Sequence, residues 1–119
     1  MGSVGNTQIS TPTPQVRSEQ TIAAARERAS EAVSTLSAAK RFNGITVEHP
    51  TTGDTIRVSV EKVTNRDYWG RSTGRKTYTV NIYNESQINE YGNPERLYYN
   101  YGIEKFKDVK DTVKRYVGV

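Results

Sequence analysis

The chain contains no cysteine, which removes disulfides, thiolate nucleophiles and cysteine-based zinc or iron–sulfur centres. Its single histidine, His49, is too little for a transition-metal cluster. No apolar run approaches the length of a membrane-spanning helix, and Met1–Gln15 has neither a charged n-region nor a hydrophobic stretch. The expectation is a protein without signal peptide or membrane span, in a cytoplasmic, reducing setting. Hydrophobic residues make up 34% of the 119, less than in most globular domains, so the core is expected to be small and the stability modest. What the chain does have is eight tyrosines and several stretches of alternating valine and isoleucine, enough to close one small core.

Residues 1–16 carry no charged side chain and are rich in Thr, Pro, Ser, Gly and Gln, a composition that predicts a disordered tail. Residues 17–41 read differently. Ile22, Ala25, Ala29, Ala32, Leu36 and Ala39 recur at spacings of three and four, which predicts an Ala-rich amphipathic helix. Ser18 or Thr21 is placed to cap it, and Arg41, Asn43 and Gly44 punctuate its end. Four of the six seam residues are alanines, whose methyl groups yield little on burial. Two readings follow: a helix lying loosely on the domain, or a docking helix that forms a homodimer or meets a partner.

From residue 43 the period falls to two, and residues 43–119 read as a single small α+β domain. Ile45 and Val47 form a first strand, ended by Pro50 and a turn at Thr51–Asp54. Ile56, Val58 and Val60 then share one face, and Val63 breaks their parity, as at a bulge or a strand end. Tyr78, Val80 and Ile82 mark a third strand. Ser86–Glu90 suggests one helical turn, and Gly92-Asn93-Pro94 a bend. In a fourth strand Leu97, Tyr99, Tyr101 and Ile103 are expected inward and Tyr98 outward. Phe106, Val109, Val113, Tyr116 and Val117 form one face of a C-terminal helix, with Asp108 as its cap and Gly118 as its end. The predicted fold is a small, mainly antiparallel sheet of three to four strands packed against a C-terminal helix, preceded by the Ala-rich helix.

The densest chemistry lies between Lys62 and Lys76. Five cations (Lys62, Arg66, Arg71, Arg75 and Lys76) stand there against one anion, Asp67, with the only tryptophan, Trp69, beside Tyr68. The excess of four positive charges equals that of the whole chain, so an electrostatic partner is expected at this basic, aromatic-tipped hairpin loop. Cations meet phosphates while an aromatic face stacks on a base. The outward strand residues Arg57, Thr77, Thr79 and Asn81 are of kinds that contact bases or backbone. The competing reading of Trp69 is that it folds back over the open end of the sheet.

Other chemistry is thin. His49, near Glu48 and Asp54, stands beside a turn where a histidine is usually just solvated. Gly70–Gly74 lacks the Lys-Ser or Lys-Thr of a phosphate-binding P-loop and precedes a strand. No enzyme, cofactor or metal is therefore expected. Three strands followed by a helix across one face resemble, in topology, DNA-binding domains of the AP2 type and the arm-binding domains of tyrosine integrases; the resemblance is of architecture and carries over no residues. The sequence thus predicts a non-enzymatic binding module, with DNA or another nucleic acid as partner, through Lys62, Arg66, Tyr68, Trp69, Arg71, Arg75, Lys76, Arg57 and Tyr98. The alternative is a protein–protein interaction or inhibitory accessory protein, of the kind carried by phages and mobile elements, acting through a Tyr-rich surface at Tyr91, Tyr98, Tyr99 and Tyr101.

Overall fold

The changes of period in the sequence correspond to six elements in a computed structural model, which describes residues 17–119; the expected tail of residues 1–16 lies outside the described residues. They are α1 (Glu19–Ser34), β1 (Phe42–Glu48), β2 (Thr55–Arg66), β3 (Ser72–Ile88), β4 (Pro94–Ile103) and α2 (Phe106–Val117). The strands form one antiparallel sheet in the order β1-β2-β3-β4. No helix among the described residues is long and apolar enough to cross a membrane. Fold class and element order are as the sequence predicts: α+β, with one helix before the sheet and one after it.

Alternation puts one face of three strands into the core. Val58 stands between Ile45 and Ile82, and Val60 lies opposite Val80, so the branched side chains meet across the strands on a single face. Both helices cover that face. From α2 come Val109, Val113 and Val117, all fully buried, and from α1 Ala29 and Val33 join the same cluster, with Leu36 following the helix. The charged face of α2 remains in water, and Gly118 closes the helix in a left-handed conformation (φ 85°). Asp108 is not its cap. Lys105 occupies that position without a side-chain hydrogen bond, and Asp108 lies in the first turn, where its charge complements the helix dipole.

The Ala-rich helix does not lie loosely. Ala25, Ala29 and Val33 have 1%, 0% and 1% of their surface exposed, because small side chains let the helix backbone approach the sheet closely. The seam that a coiled-coil partner would need is thus occupied by the chain's own core. Of the two expected caps it is Ser18 that serves, its Oγ accepting the Thr21 N–H at 3.1 Å. The end comes earlier than the punctuation at Arg41 suggests. The Ser34 and Thr35 hydroxyls donate to the carbonyls of Glu31 and Ala32, each at 2.6 Å, and such local bonds compete with helix propagation. Ala39 is consequently off the helix and exposed. Asn43, buried on the core side, accepts the Ser37 N–H and donates to the Ser37 carbonyl, both at 3.0 Å, which ties the connection to β1.

The strands are longer than the alternation alone suggests. β2 continues past Val63 in unbroken register to Thr64, and its irregularity falls between Thr64 and Arg66. β3 runs through Ser86 and Gln87 to Ile88, where a helical turn was expected. In β4 the expected parity holds at Leu97 and Ile103, which pack against the core, and is reversed between them. Tyr98 pairs with Ile82 on the helix side and packs on Tyr116 of α2, with ring centroids 5.3 Å apart. Tyr99 pairs with Asn81 on the open face. Two irregularities cause the reversal: one around Leu97, and one at Tyr101-Gly102, where φ of 72° at Gly102 returns Ile103 to the core side.

Close approach of α1 makes a prediction. Ala29→Leu should destabilise the protein by about 1–3 kcal/mol through overpacking, lowering the urea midpoint, whereas Ala24→Leu, on the exposed side of the helix, should shift stability by less than about 0.5 kcal/mol. Equal responses from the two variants would show that α1 is not part of the core.

Candidate nucleic-acid interface

Beyond the helices, β2 and β3 continue as a two-stranded ribbon. Val63 pairs with Thr77, Thr64 with Lys76 and Arg66 with Ser72, a pairing favoured by the β-branched side chains in both strands. The expected loop of Lys62–Lys76 therefore shrinks to the turn Asp67–Arg71, and the remaining residues stand on paired strands. From Val63 to that turn the ribbon reaches about 13 Å, at about 3.3 Å per residue.

The turn is organised by one carboxylate. Asp67 Oδ1 accepts the backbone N–H groups of Trp69 and Arg71, both at 2.9 Å, and the Asp67 N–H donates to the Arg71 carbonyl at 2.8 Å. This is the local side-chain bonding that Asp offers in turns, and Gly70 supplies the left-handed residue (φ 81°). Tyr68 and Trp69 project from it with 93% and 74% of their surface exposed, their rings edge to face at 5.5 Å. Trp69 does not fold back over the sheet. The Arg71 guanidinium lies 5.6 Å from the Trp69 ring centroid, and its Nε is 3.5 Å from Asp67 Oδ2.

The two faces of the ribbon differ in charge. On the open side, Arg75 forms an ion pair with Glu104, and further along β2 Arg57 pairs with Glu85 at 3.2 Å. On the helix side, Lys62, Arg66 and Lys76 line a cleft of about 450 Å³ together with Arg41. None of these four has an ion-pair partner among the described residues. Lys76 Nζ instead donates to Thr64 Oγ1 at 3.0 Å, and Arg66 Nη1 donates to the Gly70 carbonyl at 2.9 Å.

The uncovered face of the sheet carries a second arrangement. Arg57 stacks over the Tyr83 ring at 4.5 Å and Arg96 over Tyr99 at 5.1 Å. Arg96 Nη1 and the Tyr83 hydroxyl both donate to Asn81 Oδ1, at 3.5 and 3.4 Å. Tyr101 stands beside Tyr99, with 70% of its surface in water. Of the residues singled out from sequence, Lys62, Arg66 and Lys76 gather at the cleft, Tyr68, Trp69 and Arg71 at the tip, and Arg57 and Arg75 on the open face. Tyr98 belongs with none of them, being packed on α2, and Tyr91 is exposed at the β3–β4 turn.

Arg41, Tyr83 and Arg96 escaped the sequence reading. Arg41 looked like helix punctuation, and Arg96 sat in a polar stretch whose strand pairing was invisible, although period two runs on through Tyr83. His49 accepts the N–H groups of Thr51 and Thr52 at 3.2 and 3.4 Å, so its ring serves the β1–β2 turn.

Comparison with protein-family models, curated proteins and solved structures gave no match. The functional reading therefore rests on the geometry of the ribbon and the sheet.

The Asp67 carboxylate should control the order of the tip. Asp67→Ala is expected to speed amide hydrogen exchange at Trp69 and Arg71 while leaving the melting temperature nearly unchanged, since the turn lies outside the core. Unaltered exchange at both amides would show that the turn holds its shape without the carboxylate.

Proposed function

We propose that the protein binds nucleic acid, DNA in the first instance, through the β2–β3 ribbon. Trp69 and Tyr68 stack on bases, and Lys62, Arg66 and Lys76 contact phosphates. The observation that carries this reading is the exposure of both tip aromatics on the same ribbon as Lys62, Arg66 and Lys76, which pair with no carboxylate among the described residues. Large aromatic surface held in water contributes nothing to the core, yet every base offers it a π-face. A two-stranded ribbon also has the width to enter a major groove. A cytoplasmic setting, inferred from the lack of cysteine, suits such a partner.

A second reading draws on a separate observation. Tyr83, Tyr99 and Tyr101, interleaved with Arg57 and Arg96 on the uncovered sheet face, are of the residue types enriched at protein interfaces. On that reading the protein is an inhibitory or accessory protein that occupies another protein's surface. The fold serves either role.

Nucleic-acid binding should quench the fluorescence of the single tryptophan. Trp69→Ala should weaken binding of a labelled oligonucleotide by roughly 5- to 150-fold, the equivalent of about 1–3 kcal/mol for one stacked base. No binding to single- or double-stranded oligonucleotides at low salt would sink the reading. Capture of a protein partner, lost on Tyr101→Ala and retained on Trp69→Ala, would establish the second one.

A further inference from the structure

The cations of the ribbon are neutralised on one face and left bare on the other. Arg75 and Arg57, on the open side, find Glu104 and Glu85, and Arg71, at the tip, finds Asp67. Arg41, Lys62, Arg66 and Lys76, around the cleft on the helix side, have only Glu61 at its border and pair with no carboxylate among the described residues. Residues 1–16 contain no acidic side chain that could supply one. Four cations held around one cleft repel each other, and folding brings them together from three places in the chain: the approach to β1, the end of β2 and the start of β3.

The arrangement is also tied down. The Lys62 N–H donates to the Arg41 carbonyl at 2.7 Å, which joins the segment before β1 to the root of the ribbon. Lys76 is held by Thr64, and Arg66 by the carbonyl of Gly70. Lys62 is half-buried, which weakens solvent screening of its charge. Arginine forks and lysine point charges lining one concavity are the donor set of a phosphate group; Arg41 lies over the Phe42 ring at 5.1 Å, and Arg66 and Lys76 keep N–H donors beyond those given to Gly70 and Thr64.

We propose that the cleft bounded by Arg41, Lys62, Arg66 and Lys76 is a phosphate-binding site, and that Arg41 completes it from outside the ribbon. Two sources share this chemistry: a phosphodiester of a nucleic-acid backbone, which rests on the function proposed above, and a free phosphate or pyrophosphate, which does not. With a backbone as occupant, the phosphate would enter at the root of the ribbon while bases reach the aromatic tip.

The test is a titration of the full-length protein, followed by backbone amide shifts, with pyrophosphate and separately with an oligonucleotide, against chloride at equal ionic strength. Pyrophosphate should give saturable shifts at residues 41, 62–66 and 76, with the Trp69 amide unmoved, and Lys62→Gln with Lys76→Gln should abolish them. Oligonucleotide affinity should fall with salt, and the double variant should reduce the slope of log K against log salt by about 1.8, at about 0.9 per phosphate contact on duplex DNA. Arg41→Gln should weaken both ligands with the fold intact. Pyrophosphate shifts without oligonucleotide binding would keep the site and discard the nucleic-acid function. Oligonucleotide binding with no response at the cleft and an unchanged salt slope would overturn the site and leave that function standing. Shifts equal to those in chloride, or retained in the double variant, would also overturn it.

Discussion

The structure depends on covering one face of a four-stranded sheet and leaving the other open. Ile56, Val58, Val60, Val80 and Ile82 supply the apolar face, and two helices share the task of burying it. That sharing is possible because α1 presents alanines: at Ala25 and Ala29 its backbone can sit close to the sheet, leaving room for the valines of α2. Larger side chains on α1 would add buried area but lift the helix away. The small core is thus built from close approach more than from bulk, in keeping with packing to native density.

One-sided cover has consequences for everything outside the core. β2 and β3 outrun the helices, so their far ends need no apolar face and can carry charge on both sides. The same pairing that continues the sheet keeps those charges on a fixed lattice. On the open side Arg57 and Arg96 lie flat on tyrosines, an arrangement that shields part of each ring while leaving polar groups at the surface. On the helix side Arg41 lies over the Phe42 ring at 5.1 Å, but the charges around the cleft pair with no carboxylate among the described residues. A ribbon with one balanced and one unbalanced face is a directional object, and the proposed phosphate site follows from that direction.

Much of this was legible in advance. Period two located β1, β2 and β3 through Ile45, Val58 and Val80, and spacings of three and four located both helices. Gly118 announced its role as helix stop, and the start was narrowed to Ser18 or Thr21. The departures have separate causes. Tyr98 and Tyr99 exchanged faces because irregularities at Leu97 and Gly102 change the phase of the strand, and alternation carries no mark where the phase slips. The polar Thr64, Asn65 and Arg66 carry no hydrophobic period that separates a ribbon from a loop; pairing between strands keeps them extended. A seam of threes and fours through Ala32 leaves out Val33, although a helical face wide enough to meet a sheet admits both.

By itself the sequence determined the kinds of elements, their order, the single apolar face and the presence of a basic, aromatic segment, since these depend on residues close together in the chain. Tertiary structure alone decided which cations remain unpaired. The carboxylates that neutralise Arg57 and Arg75 lie 28 and 29 positions away, and Arg41 reaches the cleft from the segment just before β1. Such pairings are set by strand register and by which face each side chain occupies. A phase slip of one residue changes both, and only the folded sheet records where those slips occur.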